Sequence, residues 1–435
     1  MTVRGGAILV ACTVLALAFA VVPSAAGPAP LFAPPKSYAA GASPVAIAVV
    51  DLNGDGTLDL ASANSAAGTV SVLVNRGGFR ARHDYDTGFV PRSLASGELS
   101  GDGKPDLVTA NYDLDSVSVL INRGDGSFAA AADYPTGTLP VSVALGDLNG
   151  DGRGDLVTAD SGSETVSVLL NKGDARFGAA VAYEAPGRLG AVALGDLNGD
   201  GNLDVAVSGS GKDDVVSVFR NRGDGSLEGR RDYVKGLGSD AVAIGDLNGD
   251  GKADVAALNG MSVTVLLNNG GGSFQRHDYA NDGTHGLAIG DLDGDRHPDL
   301  ATTNGSYVSI LSNRGDGSFR VSGKFGRDSF FPQAVAIGDL NGDRKPDLAT
   351  ANGVSNDVSV LTNTTGHCTV PDVRSKTLPV AKRLIIAASC RVGKVSHGYS
   401  KRFPRGQVLS QRPAFGTVLP RGARVDLVIS LGQKR

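Results

Sequence analysis

The chain has 435 residues, 20% of them charged, and a formal net charge of −4 at pH 7. Its six histidines are scattered without metal-ligand spacing, and it contains no G-x-S-x-G elbow and no phosphate-binding loop. Local catalytic motifs of these kinds are therefore excluded, although residues that are distant in the chain can still converge on one site.

The N-terminus has the pattern of a secretory signal. Arg4 precedes an unbroken run of small and apolar residues from Ala7 to Val22, and residues 23–26 supply a small-residue cleavage site. The run is shorter than the roughly 20 residues that a spanning helix needs, which favours cleavage near Ala26 over a membrane anchor. We predict that residues 1–26 are a signal peptide and that the mature protein is secreted, extracellular or cell-wall associated, with no transmembrane segment.

A motif of the form D-x-N-x-D-G-x-x-D occurs seven times. Successive copies begin 45–50 residues apart, at Asp51, Glu98, Asp147, Asp196, Asp246, Asp291 and Asp339. Between them lie short segments rich in Val, Leu, Ile and Thr, bounded by Gly, Asn and Asp, which are typical of β-strands. Four such segments per unit, repeated seven times, predict a mainly β fold, a seven-bladed β-propeller over residues 31–363.

The phase of the repeat predicts how the ring closes. The segment from Phe32 to Tyr38 matches the outer-strand segment from Phe128 to Tyr134, and the last unit ends near Asn363 before a fourth strand. We therefore expect the N-terminal strand to complete the seventh blade, which leaves no sheet edge exposed where the ring closes.

Each motif presents oxygen-bearing groups at positions 1, 3, 5, 7 and 9, a pattern that suits Ca²⁺. Side chains at positions 1, 3, 5 and 9 and the backbone carbonyl at position 7 are the expected ligands. These residues are Asp51, Asn53, Asp55, Thr57 and Asp59; Glu98, Ser100, Asp102, Lys104 and Asp106; Asp147, Asn149, Asp151, Arg153 and Asp155; Asp196, Asn198, Asp200, Asn202 and Asp204; Asp246, Asn248, Asp250, Lys252 and Asp254; Asp291, Asp293, Asp295, His297 and Asp299; and Asp339, Asn341, Asp343, Lys345 and Asp347.

The alternative is that Asn-Gly-Asp-Gly only makes tight turns, but this leaves the Asp at position 9 of all seven copies unexplained. EF-hands are excluded because the flanks are strand-like and position 12 is never Glu. Glu98 and Ser100 make the second site the most doubtful. Up to seven structural calcium ions are expected.

The residues after Asn363 differ in composition and pattern. From residue 369 onward the chain has 14 Lys and Arg residues and only two acidic residues, Asp372 and Asp426, so its net charge is +12. A short linker, 364–368, leads to an amphipathic segment from Leu378 to Ser389 and then to three strand-like segments, so residues 369–435 form a small α+β domain. After signal cleavage only Cys368 and Cys390 remain, which suggests a disulfide, with two free buried thiols as the alternative.

Two families are similar to this chain. The run V-A-I-G-D-L-N-G-D-G-x-x-D-L followed by V-S-V-L-x-N-R-G-D-G-S-F resembles FG-GAP or VCBS repeats, whose integrin-alpha-like propellers carry calcium in the turn after a blade's first strand. Residues 369–432 resemble a PASTA domain, with V-P-D-V, V-G-K-V and G-x-V-L-S-Q-x-P. PASTA modules occur outside the bacterial membrane and are associated with peptidoglycan.

We therefore expect a monomeric, non-catalytic binding or adhesion-type protein. Its basic domain would hold peptidoglycan or another anionic wall polymer, while the propeller would present an unidentified glycan or protein ligand site. Secretion and the lack of interleaved aromatic residues argue against nucleic acid as the partner. The alternative is an enzyme that acts on extracellular polysaccharide across the propeller face. Three RGD triplets, beginning at Arg123, Arg222 and Arg314, are interpreted as turns rather than as integrin ligands.

Overall fold

The computed structural model describes residues 32–434, except for residues 186, 211–214, 236–240, 261, 282, 327–330, 366 and 421. The predicted signal peptide, residues 1–26, lies outside the described residues. The chain divides into two compact units, the first of which ends at Thr365. Within the described ranges, no helix is both long and apolar enough to cross a membrane.

The first unit contains seven four-stranded antiparallel sheets, which are the blades of the predicted propeller. The chain begins with β1 (Lys36–Ala39), which belongs to the seventh blade. Blade 1 contains β2 (Pro44–Val50), β3 (Asp59–Asn64), β4 (Thr69–Asn75) and β5 (Phe79–Asp86). Blade 2 contains β6 (Pro91–Gly97), β7 (Asp106–Asn111), β8 (Ser116–Leu120) and β9 (Ala132–Pro135), with a 3-10 turn at Tyr112–Leu114. Blade 3 contains β10 (Pro140–Gly146), β11 (Asp155–Asp160), β12 (Thr165–Leu169) and β13 (Val181–Glu184).

The remaining blades repeat this order. Blade 4 contains β14 (Arg188–Gly195), β15 (Asp204–Ser210), β16 (Val215–Phe219) and β17 (Arg231–Lys235). Blade 5 contains β18 (Val242–Gly245), β19 (Asp254–Asn259), β20 (Ser262–Gly270) and β21 (Ser273–Ala280). Blade 6 contains β22 (Leu287–Gly290), β23 (Asp299–Thr303), β24 (Tyr307–Asn313) and β25 (Phe319–Gly326). Blade 7 contains β26 (Pro332–Gly338), β27 (Asp347–Asn352) and β28 (Asp357–Leu361), followed outward by β1.

The ring closes as predicted. β1 pairs antiparallel with β28, with Lys36 opposite Val360 and Tyr38 opposite Val358. The N-terminal strand thereby supplies the fourth strand that the last repeat lacks. Because the first and last strands share a sheet, both ends of the ring are held by backbone hydrogen bonds.

The fourth strands of blades 2, 3 and 4 begin later than expected. The segment predicted to run from Phe177 to Tyr183 contains only an isolated bridge between Asn171 and Phe177 before β13 begins at Val181. Gly178 and Ala180 lie in the gap, and both residue types are depleted in strands.

The core lies between adjacent blades. The second and third strands are buried almost throughout, for example all six residues of β11. Val157 of blade 3 and Phe219 of blade 4 belong to the same apolar cluster. Six of the seven first strands end in a glycine that accommodates an aliphatic side chain of the next blade: a Cβ on Gly195 would lie 2.6 Å from Cγ2 of Ile244. The small residue at this position is therefore needed for close approach of the blades.

The second unit contains β29 (His367–Thr369), α1 (Leu378–Ala387), β30 (Arg391–Gly398), β31 (Val408–Arg412), β32 (Val418–Pro420) and β33 (Arg424–Ser430). Ala381 and Ile385 of α1 are fully buried, as the amphipathic pattern predicts. The helix ends two residues before Ser389, which has a left-handed φ of 55°. Cys368 and Cys390 form the predicted disulfide, which joins β29 to the segment after α1.

Candidate metal centres

All seven acidic loops connect the first strand of a blade to the second. In blade 1 the loop runs from Asp51 to Asp59, between β2 and β3. Position 9 is the first residue of the second strand in every blade, so the motif is fixed to the sheet at its C-terminal end.

The carboxylate at position 1 accepts hydrogen bonds from backbone N–H groups of its own loop. One oxygen accepts the backbone N–H of position 4 at 2.5–2.8 Å in all seven loops. In every loop except the second, the other oxygen accepts the N–H of position 6 at 2.7–2.9 Å. Positions 4 and 6 have positive φ and are Gly, except for Arg296 and Arg344 at position 6.

The side chains at positions 3 and 5 continue this pattern. In loop 1, Asn53 Oδ1 accepts the N–H of Asp55, and Asp55 Oδ1 accepts the N–H of Thr57, both at 2.8 Å. These bonds hold the side chains at alternate positions on the inside of the turn. In loop 4 the Asn198 amide lies 2.9 Å from Asp200 Oδ2 and 3.4 Å from Asp204 Oδ1, so positions 3, 5 and 9 converge.

The Asp at position 9 is fully buried in every blade. Both of its side-chain oxygens accept hydrogen bonds from backbone N–H groups. Its Oδ2 accepts the backbone N–H of the Leu at position 2 at 2.8–3.1 Å. Its Oδ1 accepts the backbone N–H of an Asn within two residues of the end of the third strand at 2.6–2.9 Å. This explains why an Asp occurs at position 9 of all seven motifs.

The Asn near the end of each third strand is a site residue that the sequence motifs did not predict. In each blade its Nδ2 donates to the carbonyl of the position-2 Leu in the preceding blade, at 2.7–2.9 Å. The seven are Asn75, Asn122, Asn171, Asn221, Asn268, Asn313 and Asn363. The only sequence signal is the recurrence of Asn before each Gly-containing turn. These bonds link all seven acidic loops into one ring.

The electrostatics of the loops favour a bound cation. Burial raises the pKa of the position-9 carboxyls, to about 6 for Asp299 and for Asp347, with neighbouring loop acids contributing. Burial and the adjacent Asp295 also raise the pKa of Asp293. A cation among these oxygens would favour their ionised forms.

Loop 6 has the donor set that best fits a metal. Ligand atoms of Asp291, Asp293 and Asp299 lie within 4.8 Å of one another, the one such group among the described His, Cys, Asp and Glu residues. Position 3 is Asn or Ser in the other loops. Three carboxylates on one turn form a hard oxygen site that fits Ca²⁺.

In at least three loops a basic side chain at position 7 pairs with the acid at position 5. Lys104, Arg153 and Lys252 form ion pairs with the position-5 acids of loops 2, 3 and 5, at 2.9, 2.5 and 2.8 Å. Hydrogen bonding to Lys104 lowers the pKa of Asp102. Loop 2 departs further, because Glu98 accepts from Ser100, Gly101 and Asp102 through Oε1 alone. Loop 2 therefore has the least suitable arrangement for a cation.

The RGD triplets form turns between third and fourth strands. Asp125, Asp224 and Asp316 each accept the backbone N–H of the Ser two residues later, at 2.9 Å. Hydrogen bonding to the side chain of that Ser, and secondly to its backbone N–H, lowers the pKa of each carboxyl. The acidic side chain closes its own turn, which supports the interpretation as turns.

The FG-GAP-like repeat family model matches residues 51–109, 98–158, 147–207, 196–257, 246–302 and 291–350. The chain belongs to the FG-GAP-like repeat family. A PASTA domain model matches residues 369–431. The acidic loops described above open each FG-GAP-like match.

Solved structures share the propeller architecture of these FG-GAP-like repeats. BBS1N in complex with ARL6DN is 12% identical, with a TM-score of 0.56, over 77% of this chain and 98% of that chain. Virginiamycin B lyase from Staphylococcus aureus is 13% identical, with a TM-score of 0.53, over 76% of this chain and 99% of that chain. At these identities the likeness shows the fold alone.

Proposed function

We propose that this protein is an exported, calcium-stabilised, non-catalytic ligand-binding propeller that associates with the bacterial cell wall through its PASTA domain. The observation that carries the proposal is the combination of a ring of seven linked acidic loops with a basic PASTA domain in one chain. The signal-like N-terminus and the disulfide agree with an oxidising location outside the cytoplasm.

Calcium would be held by loop 6 above all, through Asp291, Asp293 and Asp299, and by the related positions of the other loops. Extracellular calcium modules have dissociation constants of about 10⁻⁴–10⁻³ M. At about millimolar calcium, each filled site then stabilises the fold by only about 0.4–1.4 kcal/mol. This magnitude fits a structural role for the ion.

A non-catalytic role is supported by the aliphatic side chains that pack near the C-terminal ends of the first strands. Val49, Leu145, Leu194, Ile244, Ile289 and Ile337 each lie against the terminal glycine of the preceding blade. Aliphatic groups supply neither a nucleophile nor a general acid or base. Incubation with cell-wall and other extracellular polysaccharides is expected to release no reducing ends.

Wall association is tested by co-sedimentation with purified peptidoglycan. The full mature chain is compared with a chain ending at Thr365, each in calcium and in chelator. We expect the full chain to sediment and the truncated chain to stay soluble, independently of calcium. Sedimentation of neither chain would overturn wall attachment through the PASTA domain.

A further inference from the structure

The hairpin between the third and fourth strands of blade 1 is two residues shorter than its counterparts. Asn75 pairs with Phe79 across three residues, whereas Asn122 pairs with Phe128 across five. Blades 3 to 6 also have five residues in this hairpin. The sequence Arg-Gly-Asp-Gly-Ser-Phe of blade 2 is reduced to Arg-Gly-Gly-Phe in blade 1.

The longer hairpin normally packs on the preceding blade. A Cβ built on Gly126 of blade 2 would lie 2.7 Å from Cγ2 of Val74 and 3.6 Å from Cβ of Asn53 in blade 1. Gly317 of blade 6 is equally close to Leu267 and Asn248 of blade 5. The hairpin backbone therefore covers the end of the preceding third strand and position 3 of the preceding acidic loop.

At the closure junction this cover is missing. Thr362 and Asn341 of blade 7 occupy the positions of Val74 and Asn53, and they line a cavity of about 470 Å³ with Tyr38 and Phe79. The corresponding gap between loop 4 and blade 5 is about 180 Å³. The larger volume lies within the range of about 300–1,000 Å³ typical of small-molecule sites.

A tyrosine recurs at one position of the fourth strands, and in three blades its hydroxyl reaches the next blade. The hydroxyls of Tyr134, Tyr233 and Tyr279 donate to hairpin carbonyls of the next blade at 2.9, 2.7 and 2.9 Å. No hydrogen bond to the hydroxyls of Tyr38, Tyr85 and Tyr183, at the same repeat position, is found among the described residues. The ring of Tyr38 is held edge-on to Phe79, with centroids 5.1 Å apart. A fixed, half-buried phenol is thus left with unused hydrogen-bonding capacity.

We propose that this closure-junction cavity binds a neutral saccharide unit, an inference that rests on the proposed ligand-binding role of the propeller. Tyr38, whose ring lies under Lys36 Nζ at 5.2 Å from the centroid, offers a hydroxyl that can donate to a sugar oxygen. Thr362 and Lys36, which belong to no acidic loop, add a hydroxyl and an ammonium group that suit sugar hydroxyls. Of the described lining residues, two are charged, Lys36 and Asp339. Their opposite charges leave the wall without the excess positive charge that a phosphate would require.

The test uses the full mature chain and three variants. Inserting Asp between Gly77 and Gly78 and Ser between Gly78 and Phe79 recreates the blade 2 hairpin and fills the cavity. Tyr38→Phe removes the free hydroxyl, and Tyr233→Phe is the matched control at a junction without the large cavity. Probes are the methyl glycosides of glucose, galactose, mannose and N-acetylglucosamine, with methyl glucuronide as the charged comparison. Binding is detected by saturation-transfer NMR and the Kd is obtained by titration.

We expect at least one neutral glycoside to bind the wild type and the insertion to abolish that binding. Tyr38→Phe should raise the Kd about 2–10-fold, as for loss of one hydrogen bond, while Tyr233→Phe leaves it unchanged. The proposal is overturned if no neutral glycoside binds, or if neither the insertion nor Tyr38→Phe weakens binding. Should the insertion unfold the ring, as judged by circular dichroism, the tyrosine pair alone decides.

The insertion variant should still sediment with peptidoglycan, because the PASTA domain is unchanged. Loss of glycoside binding with intact sedimentation separates this cavity from wall attachment. Conversely, glycoside binding by a protein that does not sediment would contradict the wall role and leave the cavity proposal standing.

Discussion

The side-chain amide of Asn75 donates a hydrogen bond to the carbonyl oxygen of Leu340, 2.8 Å away and 265 residues later in the chain. The same amide donates to the carbonyl of Leu58 at 3.1 Å, and its oxygen accepts the N–H of Gly78 at 2.9 Å. One buried side chain therefore joins the first acidic loop to the seventh. With its counterparts, it converts seven local turns into a closed ring.

Asn75→Ala should destabilise the propeller because two buried carbonyls lose their donor. The expected loss is about 1–3 kcal/mol per unsatisfied group, measured as a lower urea midpoint for the propeller transition. Asn171→Ala is the matched control at an internal junction, between Leu99 and Gly154. Equal losses would mean that the closure junction is no weaker than the others. An unchanged midpoint for Asn75→Ala would show that the ring of bonds does not stabilise the fold.

Calcium binding should depend on loop 6 more than on loop 2. Asp293→Ala removes one of three converging carboxylates, whereas Ser100→Ala alters a loop whose position-5 acid is already paired with Lys104. We expect Asp293→Ala to remove one site from the calcium titration and to reduce the calcium-induced stabilisation by about 0.4–1.4 kcal/mol. Ser100→Ala should leave both unchanged. Isothermal titration calorimetry and thermal unfolding in calcium provide the measurements, and equal behaviour of the two variants would contradict the assignment.

Much of this architecture can be predicted from the sequence because the repeat imposes it seven times. The loops, the strand order and the use of β1 in blade 7 all follow from motif spacing. The role of Asn75 and its equivalents does not, because its partner is a backbone carbonyl of another blade. Backbone groups have no sequence signature, so a bond from Asn75 to Leu340 becomes visible only in three dimensions.

The two functions of position 9 are also hidden in the sequence. The motif spacing predicts that Asp59 is a metal ligand. In the structure, both of its side-chain oxygens accept hydrogen bonds from backbone N–H groups, those of Leu52 and Asn75. The short hairpin after Asn75 is visible in the sequence as a two-residue deletion. The cavity that this short hairpin leaves beside Tyr38 depends on how neighbouring blades pack. The apolar and polar pattern of the strands does not predict that packing.

The stabilisation by calcium should shrink on acidification. Burial raises the pKa of Asp299 and of Asp347 from 3.8 to about 6 in the folded protein. Because the folded pKa exceeds the unfolded one, their contribution to stability is present at low pH and is lost as the pH rises through 6. Calcium bound as proposed would offset this loss at neutral pH, and protons would compete with it below pH 6.

Melting temperatures measured with calcium and in calcium-free buffer should therefore differ more at about pH 7.5 than at about pH 5. Asp299→Asn, which cannot titrate, should reduce the pH dependence of that difference. A calcium effect that is equal at both pH values would contradict the assignment of these carboxyls to the sites.

The packing between blades 1 and 2 differs from that at the other junctions of the ring. In six junctions a glycine that ends a first strand lies against an aliphatic side chain of the next blade, as Gly97 lies against Leu145. At the remaining junction the repeat places Val50 in the glycine position and Ser96 in the aliphatic position. The large and small residues have exchanged places, which conserves the volume between blades 1 and 2.

Ser96→Leu alone should overpack this junction and destabilise the protein by about 1–3 kcal/mol. Adding Val50→Gly restores the arrangement of the other junctions and should recover most of the loss. A double-mutant cycle from urea denaturation should give a coupling energy of about 0.5–3 kcal/mol. Leu145→Ala, which only removes volume at the next junction, should not be rescued by Val50→Gly. Additive effects of Ser96→Leu and Val50→Gly would show that the two side chains do not share one packing site.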